Sequence, residues 1–301
     1  TLADTPERRI ILVKCMVVGM FVLAIRMLVE MPLKAMRFVE EGVVTSFSQG
    51  IIHAGSMTHA QRLMIGVILA VSLMFSYKQD RSLNRIFGFL TIFVGLALII
   101  NFKRGSWICT VICLILFSAR YINKRGWLLI LLFFAIFLNV PIVKTRIFSL
   151  QQEFQEASGG RWLMWRKIAP AIIKDYPEGI GWHSLTNEWM KEIDYRVEPN
   201  RTHLHSNILQ VLAETGWFGF IVYSIWMLRA LVDAFGFRLF SFGSKEYEIA
   251  GGIFFSIFAL LLNGIVEYNF GDSEIIMIYA FLIGIAASGF SSFIKAGKTS
   301  N

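Results

Sequence analysis

Residues 84–119 read NRIFGFLTIFVGLALIIN, then FKR, then GSWICTVICLILFSA. Two apolar runs, 84–101 and 105–119, are parted only by the polar knot Asn101-Phe-Lys-Arg104-Gly105. A helix that crosses a bilayer needs about 20 mostly apolar residues. Inside lipid a helix satisfies its own backbone groups, whereas an irregular chain cannot. Two such runs joined by so short a break form a tight helical hairpin, and the expected fold class is an all-α polytopic integral membrane protein.

Outward from this hairpin, the same criterion marks further runs at 10–29, 62–77, 127–143, 207–232, 250–270 and 275–292, about eight transmembrane helices in all. Composition agrees. Of 301 residues 55% are hydrophobic and 17% charged, with mean hydropathy +0.59, against about 25% charged in a soluble domain. The chain divides into spans 1–143 with an outer segment at 30–61, a mainly helical loop at 144–206, and C-terminal spans 207–301. Segment 33–60 carries an irregular apolar face broken by Gly42 and Gly50; a helix on the membrane surface and a re-entrant or core helix both fit it. No signal-peptide pattern precedes the first run and the chain starts at Thr1, so it reads as a piece of a longer protein.

Lys and Arg in short loops set orientation. Arg8 and Arg9, then Lys78, Arg81 and Arg85, then Arg120, Lys124 and Arg125, then Arg229, Arg238 and Lys245, then Lys295 and Lys298 all fall on alternate ends of the runs. Placed inside, they put both termini in the cytoplasm and 144–206 on the other face. The basic residues lie in short clusters between spans, which argues against a nucleic-acid partner; the expected surround is a lipid bilayer. Cys15, Cys109 and Cys113 lie in apolar runs, without disulfide or zinc spacing.

Against this pattern, Lys103 and Arg104 sit on the outer side in a very short turn. Arg161, Arg166, Lys167 and others add positive charge to 144–206. A solvated face accounts for much of the longer segment. For Arg104 two readings stand, incidental charge or an anion site, because charge held near a bilayer is costly and often functional. A guanidinium is always charged and grips phosphate oxygens in pairs. Arg161 follows the flexible Ser158-Gly-Gly160 and opens a stretch with Trp162, Trp165, Ile168 and Ile172 at helical spacing. Side chain and free helix-start amides there could meet one anion. The aromatics read as interface anchors, and Arg166 and Lys167 as solvent-facing.

The run Arg201-Thr-His203-Leu-His205-Ser-Asn207 precedes a long apolar helix. Two imidazoles at this spacing suggest half of a metal site, but no third ligand follows at metal spacing. The alternative is acid–base chemistry, since imidazole titrates near neutrality. A base beside clustered Arg holds the parts that a transfer with a phosphate leaving group needs. A transporter would call for internal repeats and ionisable groups within spans; Lys14, Arg26 and Glu267 lie near span ends, and no repeat emerges.

Gly160-Arg161-Trp162…Trp165, Asp175-Tyr-Pro177-Glu-Gly179-Ile-Gly181 and His203-Leu-His205-Ser-Asn207-Ile-Leu-Gln210…Glu214-Thr-Gly216 together resemble the O-antigen ligase and O-antigen polymerase superfamily. Its "GR…W", "P-x-x-G-x-G" and "HxHN…LQ…E.G" elements occur in this order, and Arg104-Gly105-Ser106 matches a further feature. Ser206 stands where the family usually has Asn. The resemblance implies a multi-pass glycosyltransferase of the bacterial inner membrane with a periplasm-facing site. It implies a donor glycan on undecaprenyl pyrophosphate and, for a ligase, a lipid A–core hydroxyl as acceptor. Polymerase relatives, and a branch that glycosylates protein Ser or Thr, share the donor chemistry. The reaction would be metal-independent and inverting, with no cofactor. His205 would be the general base, and Arg104 and Arg161 would stabilise the pyrophosphate. His203, Lys103, Arg166 and Asn207 would contact substrate. Glu214 and Gly216 read as packing, Gly179 and Gly181 as turn geometry, and Asp272 and Glu274 as a polar tip.

Overall fold

The computed structural model describes residues 3–119, 121, 139–141, 143–144, 160–186 and 203–299, which are helical with intervening turns and loops. Helices α1 (Pro6–Glu40), α2 (Phe47–Ala54), α3 (Met57–Ser76), α4 (Arg81–Ile100) and α5 (Arg104–Ser118) come first. Next are α6 (Gly160–Leu163), a π-helical turn (Met164–Ile168) and α7 (Ala169–Asp175). Helices α8 (Asn207–Phe240), α9 (Tyr247–Gly264) and α10 (Ser273–Thr299) complete the order. Six of them, α1, α3, α4, α8, α9 and the Ser273–Ile294 part of α10, are long and apolar enough to cross a membrane.

Six of the expected eight spans are met among the described residues. Helix α5 has 15 residues and spans about 22 Å at 1.5 Å per residue, short of the roughly 30 Å hydrocarbon core. Most of the expected span 127–143 lies outside the described residues. The run 250–270 is also divided: α9 ends at Gly264, and 265–271 leaves the helix. At the start, α1 extends past residue 29 to Glu40, so the expected outer segment 30–61 is partly its continuation. Within that segment α2 packs on α1: Gly50 meets the Ala35 backbone, and His53 meets the Phe38 ring edge-on at 4.8 Å.

The described chain separates into two compact units: 1–117, 228–262 and 272–301 in one, 118–227 and 263–271 in the other. In the first, α1 buries Val13, Val17, Met20, Ala24, Met27, Met31 and Ala35, a stripe spaced by threes and fours. It leaves Ile11, Val18, Val22, Ile25 and Val29 exposed, as a lipid-facing surface requires. Helix α3 is buried almost all round from Leu63 to Leu73, and Gly66 lets Met20 of α1 and Val94 of α4 approach it closely. Arg9 is buried and forks onto Glu246 through Nε at 2.7 Å and Nη2 at 2.9 Å, joining the start of α1 to the turn before α9.

The second unit is held by a small core of Met164, Ile168, Ala169, Ile172, Leu185, Leu204 and Ala213. The π-turn decides which face α6 and α7 present to it. One extra residue in the turn rotates the stripe, so Met164 is buried while Trp162 and Trp165 are only half-buried.

Candidate active site

The site forms in the second unit, where three distant pieces of sequence meet. Gly216 breaks α8, with φ +64° and ψ −171°, a backbone region that essentially only glycine enters. The break frees helix carbonyls. Ile180 N–H donates to the Ala213 carbonyl at 3.0 Å, Gly181 N–H donates to the Glu214 carbonyl at 2.8 Å, and Trp217 N–H turns instead to the Pro177 carbonyl at 3.2 Å. Gly179, at φ +91°, lies so close that a Cβ there would meet the Glu214 carbonyl oxygen at 2.5 Å. The Pro-x-x-Gly-x-Gly turn and the Glu-Thr-Gly of α8 are thus two halves of one docked joint.

The same joint fixes the histidine segment. Leu204 is fully buried; its N–H donates to Gln210 Oε1 at 2.7 Å, and Gln210 Nε2 donates on to Glu214 Oε1 at 2.9 Å. The Leu204 carbonyl accepts from Trp165 Nε1 at 2.8 Å. Ser206 accepts from Leu209 N–H at 3.4 Å, so the departure from the family's Asn keeps a capping oxygen at the helix start. With Leu204 anchored on one side, the flanking His203 and His205 fall on the other. Their rings meet edge-on at 4.4 Å. His205 takes φ +49°, an uncommon backbone state for a non-glycine residue.

Glu267 completes the arrangement. Its Oε2 lies 3.1 Å from His205 Nδ1, and its Oε1 accepts from Arg161 Nη2. The carboxylate is 6% exposed, Arg161 13% and the His205 side chain 17%. A carboxylate oxygen accepts, so a neutral His205 that donates to it from Nδ1 carries its lone pair on Nε2. Asn207 places the carboxylate: its Oδ1 accepts from the backbone of Asn269 at 2.9 Å and of Phe270 at 3.2 Å, and its Nδ2 donates to Asn269 Oδ1. These bonds stabilise 265–271 as a non-helical loop.

Of the residues named from sequence, the structure brings Arg161, His203 and His205 together. Asn207 serves the loop clamp. Arg166 is exposed on the π-turn. Lys103 and Arg104 belong to the first unit: Arg104 is buried at the start of α5, after a turn in which Phe102 takes φ +57°. Glu267 was not among the residues assigned to the site. Its signal was a carboxylate inside an apolar run, a placement that marks function in membrane segments. Among the described residues, no group of three His, Cys, Asp or Glu side chains is arranged to hold a metal ion.

Fold and site define a multi-pass helical membrane protein with a partly buried imidazole–carboxylate–guanidinium cluster. Residues 87–224 match the family model described as O-antigen ligase, a stretch that includes α5, the π-turn and the histidine segment. That stretch, just under half of the chain, is similar to the O-antigen ligases, a family of membrane glycan-transfer enzymes. No curated protein matches the chain.

Proposed function

We propose that this protein is an O-antigen ligase: it takes a glycan from undecaprenyl pyrophosphate and joins it to a hydroxyl of lipid A–core, at the periplasmic face of the bacterial inner membrane. The observation that carries this reading is the shared carboxylate of Glu267, which holds the His205 ring by Nδ1 and Arg161 by Nη2.

The acceptor O–H gives its proton to Nε2 of His205 as its oxygen forms a bond to the anomeric carbon. The old bond from that carbon to the phosphate oxygen breaks, and its electron pair leaves with the lipid pyrophosphate. Attack from the opposite face inverts the centre. Glu267 steadies the imidazolium that forms, a role worth most where water is scarce. Arg161, held beside His205, offers positive charge to the departing pyrophosphate. His203 steadies the His205 ring from its edge. Charge developing on a pyrophosphate is thereby met by a fixed side chain.

The test is transfer by the purified protein from an undecaprenyl-pyrophosphate glycan to lipid A–core in EDTA, with His205→Ala and Arg161→Ala alongside. The wild type should transfer, and His205→Ala should lose about 100-fold or more of the rate. A wild type that instead lengthens the donor glycan replaces ligase by polymerase. Full activity in both variants overturns the residue roles.

A further inference from the structure

The turn that docks on the α8 break also presents an aromatic pair that the transfer step does not use. Trp182 is 52% exposed, and the His183 ring meets it edge-on at 4.9 Å. His183 stands at φ +55° and Gly181 at φ +101°. A non-glycine residue in that region carries backbone strain that its surroundings must hold. Here they hold it from both sides: Gly181 N–H is tied to the Glu214 carbonyl and Ser184 N–H to the Gly181 carbonyl, while Leu185 is buried in the core that contains Leu204. The indole is therefore presented from a braced turn, and its ordering cost falls on folding rather than on binding.

The neighbours decide the ligand class. Lys174 and Asp175 at the end of α7, and Tyr176 and Glu178 just after it, are all exposed. A tryptophan that anchors a protein at the bilayer interface keeps its ring in the headgroup region, an alternative that a paramagnetic lipid tests directly. A sugar ring suits the site better. It offers apolar C–H faces to an aromatic plane and hydroxyls around its edge to carboxylate and imidazole groups. Leu185 and Leu204 share one core, so this platform and His205 belong to the same unit. The geometry points to Trp182 and His183 as a saccharide-stacking subsite that holds a sugar of the glycan other than the one reacting; this rests on the glycan-transfer reading above.

The experiment is fluorine NMR on the full-length protein labelled with 5-fluorotryptophan in nanodiscs, the Trp182 signal being assigned by Trp182→Phe. It is titrated with a soluble oligosaccharide cleaved from the source cell's surface glycan, and separately with nanodiscs that contain a paramagnetic lipid. The expected result is a saturable shift of the Trp182 signal with oligosaccharide. In the transfer assay Trp182→Ala should raise KM for the glycan about tenfold, more than it changes kcat, and Trp182→Tyr should recover most of the loss. A signal that oligosaccharide leaves unmoved, or that the paramagnetic lipid broadens, overturns the subsite. A saturable shift in a protein with no transfer activity upholds the subsite and overturns the ligase reading, whereas normal transfer with an unmoved signal does the reverse.

Discussion

Replacing Glu267 by Gln separates shape from charge at the centre of the site. The amide has nearly the carboxylate's shape, and the surrounding loop is held by Asn207 rather than by Glu267 itself. What changes is the pair of contacts to His205 Nδ1 and Arg161 Nη2. A hydrogen bond to a charged group contributes about 1.5–3 kcal/mol. Only the His205 contact is expected to strengthen as the imidazolium forms, so only that one enters the rate. At about 1.4 kcal/mol per decade, this predicts a fall in kcat of about 10- to 150-fold. The Arg161 contact exists before reaction, and its loss should change donor KM instead. The assay is glycan transfer at saturating acceptor, with thermal unfolding in the same detergent as control, because a buried guanidinium left without its carboxylate also destabilises. Glu267→Asp keeps the charge and should retain more activity than Glu267→Gln. In the double variant with Arg161→Ala, the losses should fall short of their sum, since both singles act through one carboxylate. If Glu267→Gln kept wild-type kcat within about twofold while folding normally, the imidazole would not depend on this carboxylate and the mechanism would fail.

Two further predictions concern the frame. Gly216→Ala forces a side chain into a backbone state of φ +64° and ψ −171° and places its Cβ 2.5 Å from the Pro177 carbonyl oxygen; strain and overpacking together should cost about 2–5 kcal/mol, seen as a lowered unfolding midpoint, and an unchanged midpoint would refute the docked joint. Arg9→Met breaks an ion pair whose side chains are 1% and 4% exposed and should cost about 3–5 kcal/mol, while Arg9→Met with Glu246→Leu should recover most of that stability; a double variant as unstable as the single would show that the pair's hydrogen bonds to Ala3 and Ser292 dominate.

Apolar run length located both ends of α4 to within three residues and the starts of α8 and α10 to within two, because a helix in lipid has no competing way to satisfy its backbone. It ended α8 eight residues early, where the helix runs on to Phe240. It failed at 250–270 for a reason that composition does not carry. The run is apolar enough to continue, yet Asn207, 62 residues before Asn269, captures the amides that would extend the helix. A local window cannot see such a contact. The same contact hid Glu267, which the pattern placed near the end of a span while the fold set it in a loop facing His205. At Arg161 the helical spacing was legible but the face was not, since the π-turn shifts every position from Met164 to Ile168.

The motifs are better understood as a frame than as a set of reacting groups. The Pro-x-x-Gly-x-Gly turn serves the joint: Ile180 and Gly181 N–H occupy the Ala213 and Glu214 carbonyls, and the Pro177 carbonyl accepts from Trp217 N–H where Gly216 breaks the helix. Through Glu214 and Gln210 the joint reaches the Leu204 amide, and Leu204 decides where the rings on either side of it point. Buried polar chains of this kind are costly when half satisfied, so each member holds the next to its position. A site that must work at a membrane boundary gains from this construction. Side chains placed by one joint keep their mutual geometry, and the His205 ring is held 3.1 Å from the Glu267 carboxylate.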